Sequence, residues 1–360
     1  MIFKIKRIVN AFRNKVRRFK KRSKRHKACA KTDSVLYNYG ALPHLTKTEK
    51  AEYKSAWPSI DLKEKDMTWA RVYKREHGFS PYIVGLYQSC VLREILNPKI
   101  QLHAFDNKAL CDIYFPEIHF AQPFVRRIAG SYFDSDMNHI SIQQAIDILK
   151  NKEKFFIKPA LDTMQGTGVR KVVLDGKDNE EVIHRSFAEQ KKDFIAQEVL
   201  KQHPDIEKLN PSSINCCRVT TIFINGKFDY STCLKIGKEG GFRDNWNSSY
   251  FFGVSKDGIT YDVGYDVTIN KVQYTDNGIK VGGIRLPKFP EMISTVSEWH
   301  RKYFPNCGMI GWDVFIDDKN EIRIMEMNIT IPGFVAEQLC CGPFFEPFAD
   351  DINKMLRKKV

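Results

Sequence analysis

Two apolar runs joined by a short polar segment decide the fold of this chain: Gly311-Trp312-Asp313-Val314-Phe315-Ile316 and Ile322-Arg323-Ile324-Met325-Glu326-Met327-Asn328. Their length and their apolar and β-branched residues predict the two strands of a hairpin. Side chains alternate between the two faces of a strand. Glu326 and Asn328 are therefore expected on the same face.

The turn between these strands decides whether another acidic side chain reaches that face. Asp313 joins Glu326 and Asn328 if the loop is Asp318-Lys319 or Lys319-Asn320, which are both acceptable two-residue hairpin loops. Three oxygen ligands on one face suit Mg²⁺, a hard cation that prefers carboxylates and phosphates. The alternative is a solvated outer face that carries ordinary acidic residues.

A second pair of predicted strands lies upstream, around a glycine-bearing connection. The run Phe155-Phe156-Ile157-Lys158-Pro159 precedes residues 162–168, and the β-branched run 170–174 follows them. Small residues let backbone N–H groups approach an anion, and Lys158 would add a positive charge for the same phosphates. The chain contains neither a P-loop nor a complete dinucleotide fingerprint. A hairpin turn with an exposed lysine is the alternative interpretation.

The net charge of +14 comes almost entirely from the first 27 residues. They contain 13 Lys or Arg and no acidic residue, whereas the remainder holds 44 basic and 43 acidic residues. This distribution argues against nucleic-acid binding by the body of the chain. Apolar residues recur every three or four positions in the basic stretch, at Ile2, Ile5, Val9, Phe12, Val16 and Phe19.

An amphipathic basic helix over residues 1–27 suits an anionic cytoplasmic membrane surface. A partner protein, nucleic acid or a disordered arm are the alternatives. The apolar runs are too short for a signal peptide or a membrane span. Nine cysteines form no C-x-x-C pattern of the kind that zinc sites use. Their odd number, their apolar neighbours and the lack of a signal peptide predict reduced thiols and a cytoplasmic protein, peripheral at the inner membrane face if the stretch binds lipid.

Taken together, the strand ending Lys-Pro, the glycine loop, the following strand, and the Asp and Glu-x-Asn residues resemble the ATP-grasp ligases. The chain is most similar to the sugar-transfer-associated branch, which is related to α-L-glutamate ligases and found with surface-polysaccharide genes. The resemblance covers roughly residues 40 to 345. Further segments that support it are residues 194–203 and 211–218, Leu234-Lys235-Ile236-Gly237, Asp244-Asn245 and Gly311-Trp312-Asp313.

The resemblance implies an α+β ATP-grasp fold, with two lobes gripping ATP after a mainly helical N-terminal region. It divides the chain into a basic tail (1–28), a helical pre-grasp region (29–150), a first lobe with glycine loop and hinge (151–205), a second lobe with the metal hairpin (206–345) and a C-terminal helix (346–360).

Site residues follow from the same resemblance. ATP phosphates would contact Lys158 and a second lysine, Lys108. The loop that closes over the phosphates would contribute Gln165, Gly166, Thr167 and Gly168. The hinge that frames adenine and ribose would contribute Gln197, Glu198, Val199 and Leu200. Mg²⁺ would be coordinated by Asp313, Glu326 and Asn328. Arg218 and Lys235 would be cations near the phosphates or the acyl phosphate. Together with Lys158 they are the expected catalytic residues.

Two segments depart from the branch. Cys216-Cys217 replaces its usual threonine, and residues 246–253 replace glycines that usually follow Asp-Asn. The second departure lies where acceptor recognition is expected, so the acceptor could differ from that of relatives.

The implied activity is an ADP-forming carboxylate–amine ligase that uses ATP and Mg²⁺ and an acyl-phosphate intermediate. Its carboxylate and amine substrates would be sugar- or lipid-linked components of a surface polysaccharide precursor. One alternative is a phosphotransferase on the same scaffold. Another is a membrane-tethered nucleotide-binding assembly protein without catalysis.

Overall fold

The computed structural model describes residues 24, 26–29, 31, 40–97, 102–161, 167–241 and 248–359. Most of the basic stretch lies outside this part of the chain, as do Gln165 and Gly166 of the glycine loop. Asp244-Asn245 also lies outside it. The expectations for these positions therefore stay predictions.

Helices dominate residues 40–97, as the sequence predicts. A capping box starts the first of them, because the Thr46 side chain accepts from Glu49 N–H and the Glu49 carboxylate accepts from Thr46 N–H. The described α-helices, α1 to α10 in chain order, are Lys47–Ala56, Thr68–His77, Leu86–Leu96, Cys111–Tyr114, Ile142–Lys150, Asn179–Glu189, Pro204–Glu207, Phe289–Tyr303, Val335–Cys341 and Ala349–Lys359.

The described strands form two fully antiparallel sheets. The small sheet has the order β3-β2-β1-β6-β4-β5, and the large sheet has the order β11-β10-β9-β8-β7-β12-β13. In chain order, β1 to β13 are Pro123–Ile128, Ser131–Phe133, His139–Ile140, Lys154–Pro159, Arg170–Val173, Phe194–Gln197, Cys216–Ile224, Lys227–Gly237, Ser249–Val254, Thr260–Tyr265, Lys271–Val272, Met309–Ile316 and Ile322–Asn328.

The chain divides into two compact units. One contains the described residues up to Ile95, together with Val267–Ile269 and the chain from Gly342 onward. The other contains Leu96–Asp266 and Asn270–Cys341, and so holds both sheets and all described candidate site residues. No helix in the described part of the chain is long and apolar enough to cross a membrane.

Each sheet buries an apolar face against helices. The small sheet packs with α5 and α6 around Phe155, Ile157 and Phe194. In the large sheet, Trp312 and Val314 point into a core that α8 completes. Because side chains alternate along a strand, Asp313 between them points to the opposite face. The apolar core thereby orients the acidic residue of β12.

Two hairpins of the large sheet differ in how they turn. The β7–β8 hairpin turns at Asn225-Gly226, where both residues have positive φ, 50° and 78°, as a type I′ turn requires. The β12–β13 loop was predicted wrongly. Asp317 pairs with Glu321 across three residues, and Asn320 takes the left-handed conformation at φ 64°.

A β-bulge restores the predicted face in that second hairpin. The ladder runs from Ile316↔Ile322 to Val314↔Ile324, then skips one residue so that Asp313 pairs with Glu326. Without the extra residue, Met325 would lie opposite Asp313 and Glu326 would point to the other face. The expectation that Asp313 and Glu326 share a face is therefore met through a turn and a bulge that the alternation of residues does not reveal.

Candidate functional site

Strand register collects the charged residues of the large sheet on one face. Asp313 pairs with Arg218 across β12 and β7, and with Glu326 across β12 and β13. Lys235 on β8 lies opposite Cys216, two residues before Arg218 and on the same face of β7. Four strands thus bring together residues that are up to 108 positions apart, from Arg218 to Glu326.

Asp313 is at the centre of this cluster and is 5% exposed. Arg218 binds it in bidentate fashion, with Nε 2.7 Å from Oδ1 and Nη2 3.0 Å from Oδ2. Lys235 Nζ lies 3.1 Å from Oδ1. Burial by itself would raise the pKa of Asp313, but the two cations outweigh it and lower the pKa to about 2. The carboxylate is therefore ionised at neutral pH.

Arg218 is held by a third contact, because its Nη1 donates to the carbonyl of Gly333 at 3.0 Å. Burial would lower the pKa of Arg218, yet the charge of Asp313 and the hydrogen bond to it raise the pKa above its ordinary value. The planar guanidinium is thus fixed between β12 and the segment after β13, with a defined orientation.

Glu326 and Asn328 complete the predicted oxygen set. Glu326 Oε1 lies 3.1 Å from Lys108 Nζ, and Asn328 Nδ2 lies 3.4 Å from Asp313 Oδ2. The Glu326 side chain is about one third exposed, unlike that of Asp313. The two carboxylates therefore differ: Asp313 is enclosed by cations, whereas Glu326 is partly exposed beside Lys108.

Lys108 and Lys158 approach the cluster from the small-sheet side. The backbone N–H of Lys108 donates to Ala160 O at 2.9 Å, which places Lys108 just beyond the end of β4. Lys158 lies on β4 and is half-buried. Burial lowers the pKa of Lys158 to about 8, with Glu326 opposing this shift and Lys108 reinforcing it. A phosphate placed here would restore the charged form.

The charges of the cluster decide which metal complex fits. Arg218, Lys235, Lys108 and Lys158 are four cations against the two carboxylates Asp313 and Glu326. Such a site repels a free dication and attracts a polyanion. No group of three His, Cys, Asp or Glu suited to a metal occurs among the described residues. The donors therefore fit Mg²⁺ only together with phosphates, which would supply further oxygen ligands.

The described end of the glycine loop has a structural reason for its glycine. Gly168 has φ +80°, and a Cβ there would lie 2.7 Å from Pro159 Cγ. Gln190 Nε2 donates to Gly168 O at 3.0 Å. Backbone conformation and contact with β4 thus both require glycine at this position. Thr167 beside it is exposed.

The predicted hinge follows β6 and is attached to the β12–β13 hairpin. Gln197 is buried at the end of β6, and Val199 and Leu200 are half-buried. Glu198 Oε1 accepts from Gln122 N–H at 2.9 Å and from Arg323 Nη2. Arg323 lies on β13, three residues before Glu326. An ion pair between Glu198 and Arg323 therefore joins the predicted hinge to β13.

The sequence analysis missed Glu337 on α9. The Glu337 side chain is 4% exposed, its Oε1 accepts from Thr220 Oγ1 at 2.9 Å, and its Oε2 has no hydrogen-bond partner among the described residues. Burial raises the pKa of Glu337 to about 8, although Arg218 and Thr220 lower it. Glu337 follows the Glu-x-Asn pair by nine positions, and an acid in the mostly apolar stretch 334–341 was the available signal.

A family model described as sugar-transfer associated ATP-grasp matches residues 88–354. The chain therefore belongs to the sugar-transfer associated ATP-grasp family. This confirms the predicted fold class, an α+β ATP-grasp fold of two lobes after a helical N-terminal region. No curated protein matches the chain.

Solved structures of ligases are among those similar to this chain. D-alanyl-alanine synthetase A from Vibrio cholerae is 14% identical with a TM-score of 0.43, over 70% of this chain and 64% of that one. The VanG D-Ala:D-Ser ligase from Enterococcus faecalis is 15% identical with a TM-score of 0.40, over 71% and 62%. ATP-grasp ligase PsnB complexed with a minimal precursor is 12% identical with a TM-score of 0.40, over 74% and 69%. The chain thus spans just under two thirds of the first two.

Proposed function

We propose that this protein is an ATP-dependent ligase that joins a carboxylate to an amine. The observation that carries the proposal is the single polar face on which Asp313, Glu326 and Asn328 meet Arg218 and Lys235. Oxygen ligands and fixed cations at one place are what the transfer of a phosphoryl group requires, because charge develops on its oxygens.

Each residue of the site has a proposed role. Lys158 and Lys108 would bind the phosphates of ATP, and residues 197–200 would contact its adenine and ribose. Magnesium held by Asp313, Glu326 and Asn328 would neutralise the triphosphate and orient it for in-line transfer. Because Asp313 is already bound by two cations, it would have to share its oxygens with them when the complex enters.

The reaction would proceed in two steps. An oxygen of the substrate carboxylate would attack the γ-phosphorus, the bond to the β-phosphate oxygen would break, and ADP would leave. Arg218 and Lys235 would hold the acyl phosphate that results. The amine would then attack its carbonyl carbon, releasing inorganic phosphate and a proton and leaving an amide. The loop at residues 162–168 would exclude water from the intermediate.

For the acceptor, we propose a sugar- or lipid-linked precursor of a surface polysaccharide, modified at the cytoplasmic membrane surface. The family's association with sugar transfer supports the first part. The concentration of 13 Lys or Arg in residues 1–27 supports the second, because anionic lipids attract such stretches.

Measurement of ADP release tests the ligase proposal. ATP and Mg²⁺ are supplied with amino acids and uronic-acid sugar nucleotides, and each class is omitted in turn. We expect ADP only when both a carboxylate and an amine are present, and a fall of at least about 100-fold in Asp313→Asn and Glu326→Gln. Asp318→Asn, an exposed acid of the same hairpin, is the matched control and should keep full activity.

The same assay separates the alternatives. ADP formed with one substrate, giving a stable phosphorylated product, would indicate a phosphotransferase instead. ATP binding without ADP under any combination, lipid-linked acceptors included, would indicate a non-catalytic nucleotide-binding protein. Full activity in both Asp313→Asn and Glu326→Gln would contradict the metal assignment.

A further inference from the structure

Two cysteines far apart in the sequence face each other in the unit that lacks the nucleotide site. Cys29 lies in the helical run 26–29, and Cys90 lies on α3. Their sulfur atoms are 3.7 Å apart, and both side chains are partly exposed. A disulfide bond is about 2 Å long, so the two sulfur atoms would have to approach each other by less than about 2 Å to form one.

The surrounding contacts hold the two helical segments in a defined register. His26 stacks on Tyr87 with ring centroids 3.7 Å apart and an interplanar angle of 17°. Each ring precedes its cysteine by three positions, the spacing that places two side chains on one face of a helix. Ring therefore faces ring and sulfur faces sulfur.

A buried hydrogen bond between His26 and Asp66 fixes the same register from a second direction. His26 is 3% exposed, and its Nδ1 lies 2.8 Å from a carboxylate oxygen of Asp66. Asp66 is itself buried and accepts from Lys63 N–H at 2.7 Å. Residues 26–29 are thus anchored by a buried side chain, and the approach of the two thiols does not depend on their own contact.

The local charge favours reaction at these two sulfurs. Arg93 Nη2 lies 3.1 Å from Cys90 Sγ, and Cys29 has Lys27 and Lys31 beside it in the sequence. Neighbouring cations stabilise the thiolate, which is the nucleophile in thiol–disulfide exchange. Buried cysteines elsewhere differ, since burial raises the pKa to about 12 for Cys111, Cys217 and Cys307.

We propose that Cys29 and Cys90 form a reversible disulfide that fastens residues 26–29 to α3. The oxidant would be a small-molecule disulfide such as oxidised glutathione. The thiolate of one cysteine attacks the glutathione disulfide and releases one reduced glutathione. The thiolate of the other cysteine attacks the mixed disulfide and releases the second, so two thiols are oxidised and one external disulfide is reduced.

This bond would covalently attach the basic stretch at its C-terminal end. It would join segments 61 positions apart, directly after the last of the 13 basic residues in 1–27. The redox state would thus decide whether that stretch is held to α3 by non-covalent contacts or by a covalent bond. This proposal does not depend on the ligase activity.

The test uses the full-length protein, treated with oxidised glutathione without denaturant, alkylated, digested with trypsin and examined by mass spectrometry. We expect a linked pair of peptides, residues 28–31 joined to 76–93, that dithiothreitol removes. Cys29→Ser and Cys90→Ser should each abolish it, and Cys29→Ser covers the case in which Cys90→Ser folds poorly. Cys111→Ser is the matched control and should retain the linked pair.

Three outcomes would overturn the proposal. Alkylation of Cys29 and Cys90 could be undiminished after oxidation. The reaction could stop at a glutathione adduct on one of them in the folded protein. The linked peptides could instead join other cysteines, such as Cys340 and Cys341, which are adjacent to each other in the sequence.

Discussion

At the scale of single residues, Glu337 is a carboxyl group whose environment differs strongly from its ordinary one. One carboxyl oxygen accepts a hydrogen bond from Thr220, and the other has no hydrogen-bond partner among the described residues. Burial raises the pKa to about 8, so the group stays protonated up to about that pH. Ionisation of this residue would place an additional negative charge near Arg218. A neutral Glu337 therefore leaves Asp313 as the main counter-charge of the guanidinium.

Glu337→Gln should change how stability depends on pH. The unfolded chain ionises Glu337 above about pH 4.3, whereas the folded chain keeps its proton to about pH 8. The unfolded state therefore binds fewer protons in this window, and the free energy of unfolding falls as pH rises, by at most about 1.4 kcal/mol per pH unit. Below this pH window Glu337 is protonated in both states. Above it, the loss of stability due to this residue is complete.

Urea denaturation at pH 5, 6.5 and 8 measures this contribution. We expect Glu337→Gln to gain stability relative to the native protein as pH rises across the window. Glu321→Gln, which changes an exposed carboxyl of the same unit, should show a constant difference. A constant difference for Glu337→Gln as well would show that the carboxyl titrates normally in the folded state.

At the scale of elements, the β12–β13 hairpin combines an unpredicted loop with a compensating bulge. The loop has three residues instead of two, which alone would turn Glu326 away from Asp313. The extra residue in β13 corrects the register. Alternation predicted the shared face of Glu326 and Asn328 because it depends on local strand geometry, whereas loop length and bulge position depend on how both strands pack in the sheet.

A deletion and an insertion at this bulge should have opposite results. Removing Met325 leaves Glu326 directly after Ile324, so a regular ladder still pairs Glu326 with Asp313. Inserting Ala after Met325 moves Glu326 by one position and turns it to the other face. Calorimetric titration with Mg²⁺ and a non-hydrolysable ATP analogue should detect binding in the deletion and none in the insertion.

Circular dichroism provides the control for that experiment, because both variants must retain the β signal of the native protein. Binding in a folded insertion variant would mean that the ladder adjusts by a second bulge. Loss of binding in a folded deletion variant would mean that binding requires the twist that the bulge introduces, and not only the face on which Glu326 lies.

At the scale of the whole molecule, charge is divided between the N-terminal stretch and an almost neutral body. Residues 1–22 alone hold ten of the 13 basic residues of the tail and precede the anchored His26. Each cation near an anionic bilayer contributes about 1 kcal/mol of attraction. A membrane role for this stretch is therefore separable from the nucleotide site.

Removal of residues 1–22 should abolish sedimentation with vesicles that contain phosphatidylserine. Binding of the full-length protein should weaken with salt, because screening shortens the range of attraction. Vesicles of phosphatidylcholine alone are the control and should bind neither form. Equal sedimentation of both forms would contradict the membrane assignment, whereas ADP formation with soluble substrates should be the same for both.

The alternation of apolar and polar residues was enough to predict the strands at 311–316 and 322–328 and the shared face of Glu326 and Asn328, because these depend on neighbours within a few positions. Tertiary structure decided the rest. Pairing of β7, β8 and β12 places two cations on Asp313, and packing of α9 against β8 and β9 buries Glu337 and raises its pKa. Helix packing brings Cys29 and Cys90 together. The charge, burial and contacts at these sites arise between segments that are 61 to 117 positions apart, so a local sequence pattern cannot predict them.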